Sequence, residues 1–139
     1  MALNVQLLRD SFSLVVEREP QVTSRFYKIL FERYPQARPL FSSKAIEHQE
    51  KMLRDMLVAV VDHLEDEPWL KEQLAALGEK HVDYGVTPEM YGWVGACLLQ
   101  ALQEAAGADW SPEIEKAWAD AYGAIASIMQ AGAQRSAAN

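Results

Sequence analysis

The sequence predicts an all-α domain of five or six long helices. Apolar residues recur at spacings of three and four along most of the chain. Start and stop signals fall between those stretches. Thr87-Pro88-Glu89 and Ser111-Pro112-Glu113 each join a cap residue, a first-turn proline and a first-turn acid, and Gly85 and Gly107 stand where helices end. Nothing alternates with period two for long, and no hairpin dipeptide occurs.

The first helix is expected over about Asn4 to Glu17, with Asn4 as a cap and Leu7, Leu8, Ser11, Leu14 and Val15 as its stripe. Pro20 breaks it and can open the second helix, which runs to Tyr34. Phe26, Tyr27, Leu30, Phe31 and Tyr34 share a face there. Tyr27 either buries its ring and finds one hydrogen-bond partner, or points its hydroxyl into a cavity. In Y-P-Q-A-R-P-L-F-S-S, Pro35 and Pro39 permit only short helical turns. Phe41 either plugs the core edge or packs on a planar ligand. The third helix is expected over Ala45 to Glu65. Gln49, Leu53, Met56, Leu57, Val60 and Leu64 fall in one arc of about 100° at helical spacing. Gln49 is therefore an amide on an apolar face, which is costly unless something bonds it. His48 falls at the polar edge and His63 between the faces, both as solvated surface residues. The fifth helix runs from Pro88 to Ala106, striped by Tyr91, Val94, Leu98, Leu99 and Leu102. The sixth runs from Pro112 to about Gln130, with Ile114, Trp118, Ala121, Tyr122, Ile125, Ile128 and Met129 inward, and 134–139 is expected to be loose.

The fourth helix, Trp69 to Gly85, organises the rest. Leu70, Leu74, Leu77 and His81 share one face at steps of four, three and four. A lone histidine on an apolar face is either a core residue bonded to a carbonyl or an axial ligand to a haem iron.

With 139 residues and no linker, repeat or low-complexity tract, residues 1–139 form one domain. The hydrophobic share of 50% and charged share of 24% are ordinary for a soluble protein. A net charge of −7 speaks against nucleic acid or an anionic membrane as partner. The single Cys97, within V-G-A-C-L-L, fits a reducing compartment and a buried, inert thiol. The N-terminus lacks a signal-peptide pattern, and no apolar run approaches a membrane span. A cytoplasmic location is expected.

Several stretches resemble one family in register. F-Y-K-I-L-F-E-R-Y-P-Q-A-R-P-L-F resembles its second helix leading to a corner phenylalanine, here Phe41. L-G-E-K-H-V-D-Y-G-V resembles its proximal helix, and Y-G-W-V-G-A-C-L-L and A-W-A-D-A-Y-G its last two long helices. Over essentially its whole length the chain resembles a single-domain bacterial globin. It is similar to the haem domain of flavohaemoglobins, to bacterial haemoglobins and to neuroglobin-like bacterial globins.

The resemblance implies a 3-over-3 helical sandwich around haem b (iron protoporphyrin IX), with His81 as the proximal iron ligand. It implies a cofactor wall of Phe41, Leu53, Leu77, Val86, Tyr91 and Val94, and a distal hydrogen-bonding pair, Tyr27 and Gln49. His48 is the alternative to Gln49, and would make ferrous iron six-coordinate without gas. The implied ligands are dioxygen, carbon monoxide and nitric oxide, and the implied state is a monomer or homodimer. Two functions follow: oxygen binding, storage or delivery, or a nitric oxide dioxygenase. Flavohaemoglobins carry a flavin reductase after the globin, so turnover by a chain ending at Asn139 calls for an external reductase. Their proximal histidine is supported by a tyrosine and a glutamate. Tyr91 matches the tyrosine, but no acid follows Asp120, so His81 is expected to bond a backbone carbonyl such as that of Leu77. A third reading is a cofactor-free helical module in which His81 is a core residue.

Overall fold

The computed structural model describes residues 4–41, 46–83 and 85–138. Six α-helices carry the chain: α1 Val5–Arg18, α2 Val22–Arg33, α3 Ile46–Asp62, α4 Glu67–Asp83, α5 Pro88–Ala106 and α6 Pro112–Ala138. No strand occurs among the described residues. Ala45, the expected start of the third helix, and Tyr84 lie outside them.

The caps predicted at Asn4 and Ser111 form through their side chains, while at Thr87 the backbone carbonyl accepts from the Met90 N–H at 3.0 Å. The Asn4 side chain accepts from the Leu7 N–H at 3.1 Å, and the Ser111 hydroxyl accepts from the Ile114 N–H at 3.2 Å. Pro20 lies in the turn ahead of α2, which begins at Val22. The proline-bounded segment winds into a 3₁₀-helix, Pro35–Phe41, and a further 3₁₀ turn follows α5 at Gly107–Asp109.

Two expectations are corrected. α6 continues through Ala138, eight residues past Gln130, so residues 134–138 of the tail expected to be loose are helical, and Asn139 lies outside the described residues. Its run of Ala, Gln, Arg and Ser contains no proline, and alanine favours helix. His63 is not a solvated surface residue. It is half-buried, stacked on Trp69 with ring centroids 3.8 Å apart, and its Nδ1 lies 2.8 Å from the Ala59 carbonyl. His48 is exposed, as expected.

The helices pack around two adjoining apolar clusters. The larger joins α1, α2, α5 and the first half of α6 through Leu8, Val15, Phe26, Leu30, Leu102 and Trp118, with Phe41, Leu53 and Val94 packed against it. The smaller joins α3 to α6 through Val60, Leu74, Tyr91, Ala126 and Met129, with Leu77 and Val86 against it. A cavity of about 30 Å³ lies among Leu57, Val61, Leu98, Trp118 and Ala121. The polar atoms of its aromatic walls bond elsewhere. The Trp118 indole donates to the Ser11 hydroxyl at 2.9 Å, and the Tyr122 hydroxyl to the Tyr91 carbonyl at 2.6 Å.

Candidate functional site: a half-buried imidazole on one helix and a buried phenol on another

Helix α4 sets the first side of the site. Leu74 is fully buried, and Leu70 and Leu77 are half-buried, so the predicted face points inward. The helix stops at Gly85, whose φ of 88° is open to glycine. The Gly85 N–H donates to the Val82 carbonyl and the Val86 N–H to the His81 carbonyl, both at 3.0 Å. Those two bonds close a Schellman motif and anchor the exit turn on His81 itself.

His81 is half-buried in the last turn. Its Nδ1 lies 2.8 Å from the Leu77 carbonyl. A carbonyl oxygen only accepts, so Nδ1 carries the proton and, in the neutral ring, Nε2 carries the lone pair. Burial lowers the imidazole's proton affinity, and the Leu77 hydrogen bond opposes that effect without cancelling it. The ring is held in the neutral form that binds a metal. Tyr91 lies beside it, ring centroids 6.5 Å apart. The Tyr91 hydroxyl is buried and meets no hydrogen-bond partner among the described residues, and burial raises its pKa.

The second side is built by α2, the first 3₁₀-helix and α3. Tyr27 is buried, with Phe26, Phe41 and Phe31 rings at 4.9, 5.5 and 6.0 Å. Its hydroxyl makes no hydrogen bond among the described residues. Burial, and secondarily the carboxylate of Glu50, push this phenol up to about 12. It is therefore a neutral O–H donor at any physiological pH. Glu50 follows Gln49, so the start of α3 reaches the neighbourhood of Tyr27. Gln49 is half-buried while His48 is exposed. The Gln49 amide also makes no hydrogen bond among the described residues.

The structure thus joins Tyr27 to Phe41 directly and sets Leu53 and Val94 on their cluster. It joins His81 to Leu77 and Tyr91, and sets Val86 on that second cluster. Sequence reasoning missed Glu50, whose only signal was its place beside Gln49. Among the described residues no group of three or more His, Cys, Asp or Glu could hold a metal ion, so His81 is not part of a side-chain metal cluster.

A domain of this helical order carries a neutral, half-buried imidazole on α4 beside Tyr91, and a separate aromatic cluster of Tyr27, Phe31 and Phe41. The chain belongs to the globin family, whose model, Globin, matches residues 24–129. It is 31% identical over 127 residues to the flavohemoprotein of Bacillus cereus, covering 90% of this chain and 31% of that protein. The chain therefore spans about a third of the length of that relative. A bacterial globin from Campylobacter jejuni has a similar structure, with a TM-score of 0.83, 28% identity and 97% of both chains covered. An engineered carbene transferase, made from a Rhodothermus marinus protein provisionally designated a nitric oxide dioxygenase, gives a TM-score of 0.85 at 27% identity, covering 96% of this chain and 93% of that one. Family membership, with flavohemoproteins among the relatives, implies a haem cofactor.

Proposed function

We propose that this chain acts as a single globin domain in the cytoplasm, holding haem b through His81 and binding dioxygen reversibly for oxygen binding, storage or delivery. Carbon monoxide and nitric oxide are ligands of the same site. The observation that carries this reading is the His81 imidazole, half-buried and held with Nδ1 toward the Leu77 carbonyl. With Nδ1 held there, Nε2 is the nitrogen that would donate to the haem iron. The residues present fit the group. Among the described residues the imidazole is no part of a side-chain metal cluster and the phenols of Tyr91 and Tyr27 make no hydrogen bond, and the clusters around both are apolar.

Haem, when bound, would supply the iron that takes up a diatomic gas. The chain's residues do the rest. His81 supplies Nε2. Phe41, Leu53, Leu77, Val86, Tyr91 and Val94 form the wall that excludes water. The Tyr27 O–H and the Gln49 N–H donate to a polar diatomic ligand, each contributing about 1 kcal/mol in a dry pocket. Haem titration of the apoprotein tests the reading. Wild type is expected to take up one haem per chain, and His81→Ala to lose that uptake while staying helical.

A nitric oxide dioxygenase working with a separate reductase is the second reading, supported by the provisional designation of the Rhodothermus marinus relative. Against it, no acid follows Asp120 and the Tyr91 hydroxyl meets no carboxylate among the described residues. Nitric oxide consumed over many turnovers per haem, with a reductase supplied, would favour that reading.

A further inference from the structure

The helix bearing His81 lies backbone against backbone on α6. A methyl group at Gly78 would overlap the Met129 carbonyl oxygen, with the Met129 carbonyl carbon 2.6 Å and Cα 2.8 Å away. The relation is reciprocal. A methyl group at Gly132 would overlap the Ala75 carbonyl oxygen, with the Ala75 Cα at 2.7 Å. Two glycines on two helices, each one turn from the other's contact point, bring α4 and α6 closer than any side chain permits. The contact between α4 and α6 is also the most extensive between any two helices of the fold.

This crossing lies one turn before His81. The pressed segment of α4, Ala75–Gly78, includes Leu77, whose carbonyl orients the His81 ring. A second, independent feature marks the same region as built for a ligand. Tyr91 is nine-tenths buried beside His81, with its hydroxyl unpartnered among the described residues.

We propose that Gly78 and Gly132 are positioning residues: their backbone crossing sets the depth and tilt of the His81 imidazole, and so the strain on its bond to iron. The proposal rests on His81 being the haem ligand. A displaced α4 moves the Leu77 carbonyl and the imidazole together, because the hydrogen bond couples them. Backbones pressed together cannot yield by a rotamer change, so an added methyl must move a helix.

The test compares Gly78→Ala and Gly132→Ala with Gly123→Ala, which adds the same methyl to α6 where nothing lies within 4 Å. In the haem-loaded proteins, resonance Raman reads the iron–histidine stretching band, and transfer to an acceptor globin reads haem loss. The crossing variants are expected to move the band and speed haem loss about tenfold, the scale seen when groups that orient a metal ligand are disturbed. Gly123→Ala is expected to match wild type. Folded, haem-loaded crossing variants with the wild-type band would overturn the proposal. Should both variants fail to fold, hydrogen exchange on the haem-loaded wild type decides. The amides of 79–82 are expected to share the protection of 129–132. Rapid exchange in α4 beside a protected α6 would show that α6 does not hold it. A wild type that takes up no haem would refute the ligand reading instead, and is seen in the spectrum before any variant is made.

Discussion

The Tyr122 hydroxyl donates a 2.6 Å hydrogen bond to the Tyr91 carbonyl. It ties the middle of α6 to the turn of α5 that faces His81. The Tyr122 ring fits because Gly95 has no side chain, and a methyl group there would lie 2.6 Å from its Cε2. Burial raises the Tyr122 pKa further, so the donor stays protonated. We expect Tyr122→Phe to lower stability by about 1 kcal/mol, and Gly95→Ala by about 1–3 kcal/mol through displacement of the ring. Urea unfolding followed by circular dichroism measures both.

Ser11 shows how a polar residue can belong to an apolar stripe. Its hydroxyl donates to the Leu7 carbonyl at 2.7 Å and accepts from the Trp118 indole at 2.9 Å. Ser11→Ala leaves a buried indole N–H without a partner, at a cost of about 1–3 kcal/mol. A shift in tryptophan fluorescence with a lower urea midpoint is expected. An unchanged midpoint would mean that the indole finds another acceptor.

Tyr27 sets an alkaline limit. Its pKa is pushed up to about 12 by burial and then by Glu50, while an unfolded tyrosine ionises near 10. The folded state holds the proton longer than the unfolded state. Stability from this group is therefore complete below about pH 10 and lost as pH rises toward 12, on the order of 2 kcal/mol in all. In Tyr27→Phe that part of the alkaline slope is expected to disappear. Stability curves of the two proteins between pH 9 and 12 test it.

The distal roles separate by substitution. In the haem-loaded protein we expect Tyr27→Phe and Gln49→Leu each to speed oxygen dissociation about tenfold, the equivalent of about 1.4 kcal/mol. His48→Leu is expected to change it little, because His48 is exposed. Stopped-flow displacement of oxygen by carbon monoxide measures all three. A large effect of His48→Leu alone would reverse the assignment.

Much of this was legible in the sequence because it is written in local chemistry. Caps at Asn4 and Ser111, the stop at Gly85 and the inward faces of α3 and α4 follow from propensity and period. The bond from His81 to the Leu77 carbonyl was also foreseeable, since residues four apart on a helix lie one above the other. What escaped depends on tertiary neighbours. His63 lay between two helical faces, and only the turn into α4 brings Trp69 onto its ring. The length of α6 was hidden because its tail has no apolar stripe to announce it. Gly78 and Gly132 read as ordinary small residues until their helices crossed.

The visible absorption spectrum of the haem-loaded protein tests the central claim most directly, read in the ferrous state without gas, under carbon monoxide and under air. The account predicts a five-coordinate ferrous spectrum through His81 that converts to stable gas-bound forms, with both lost in His81→Ala. A six-coordinate ferrous spectrum without gas would contradict the distal assignment of Tyr27 and Gln49, and an absent Soret band would contradict the haem reading altogether.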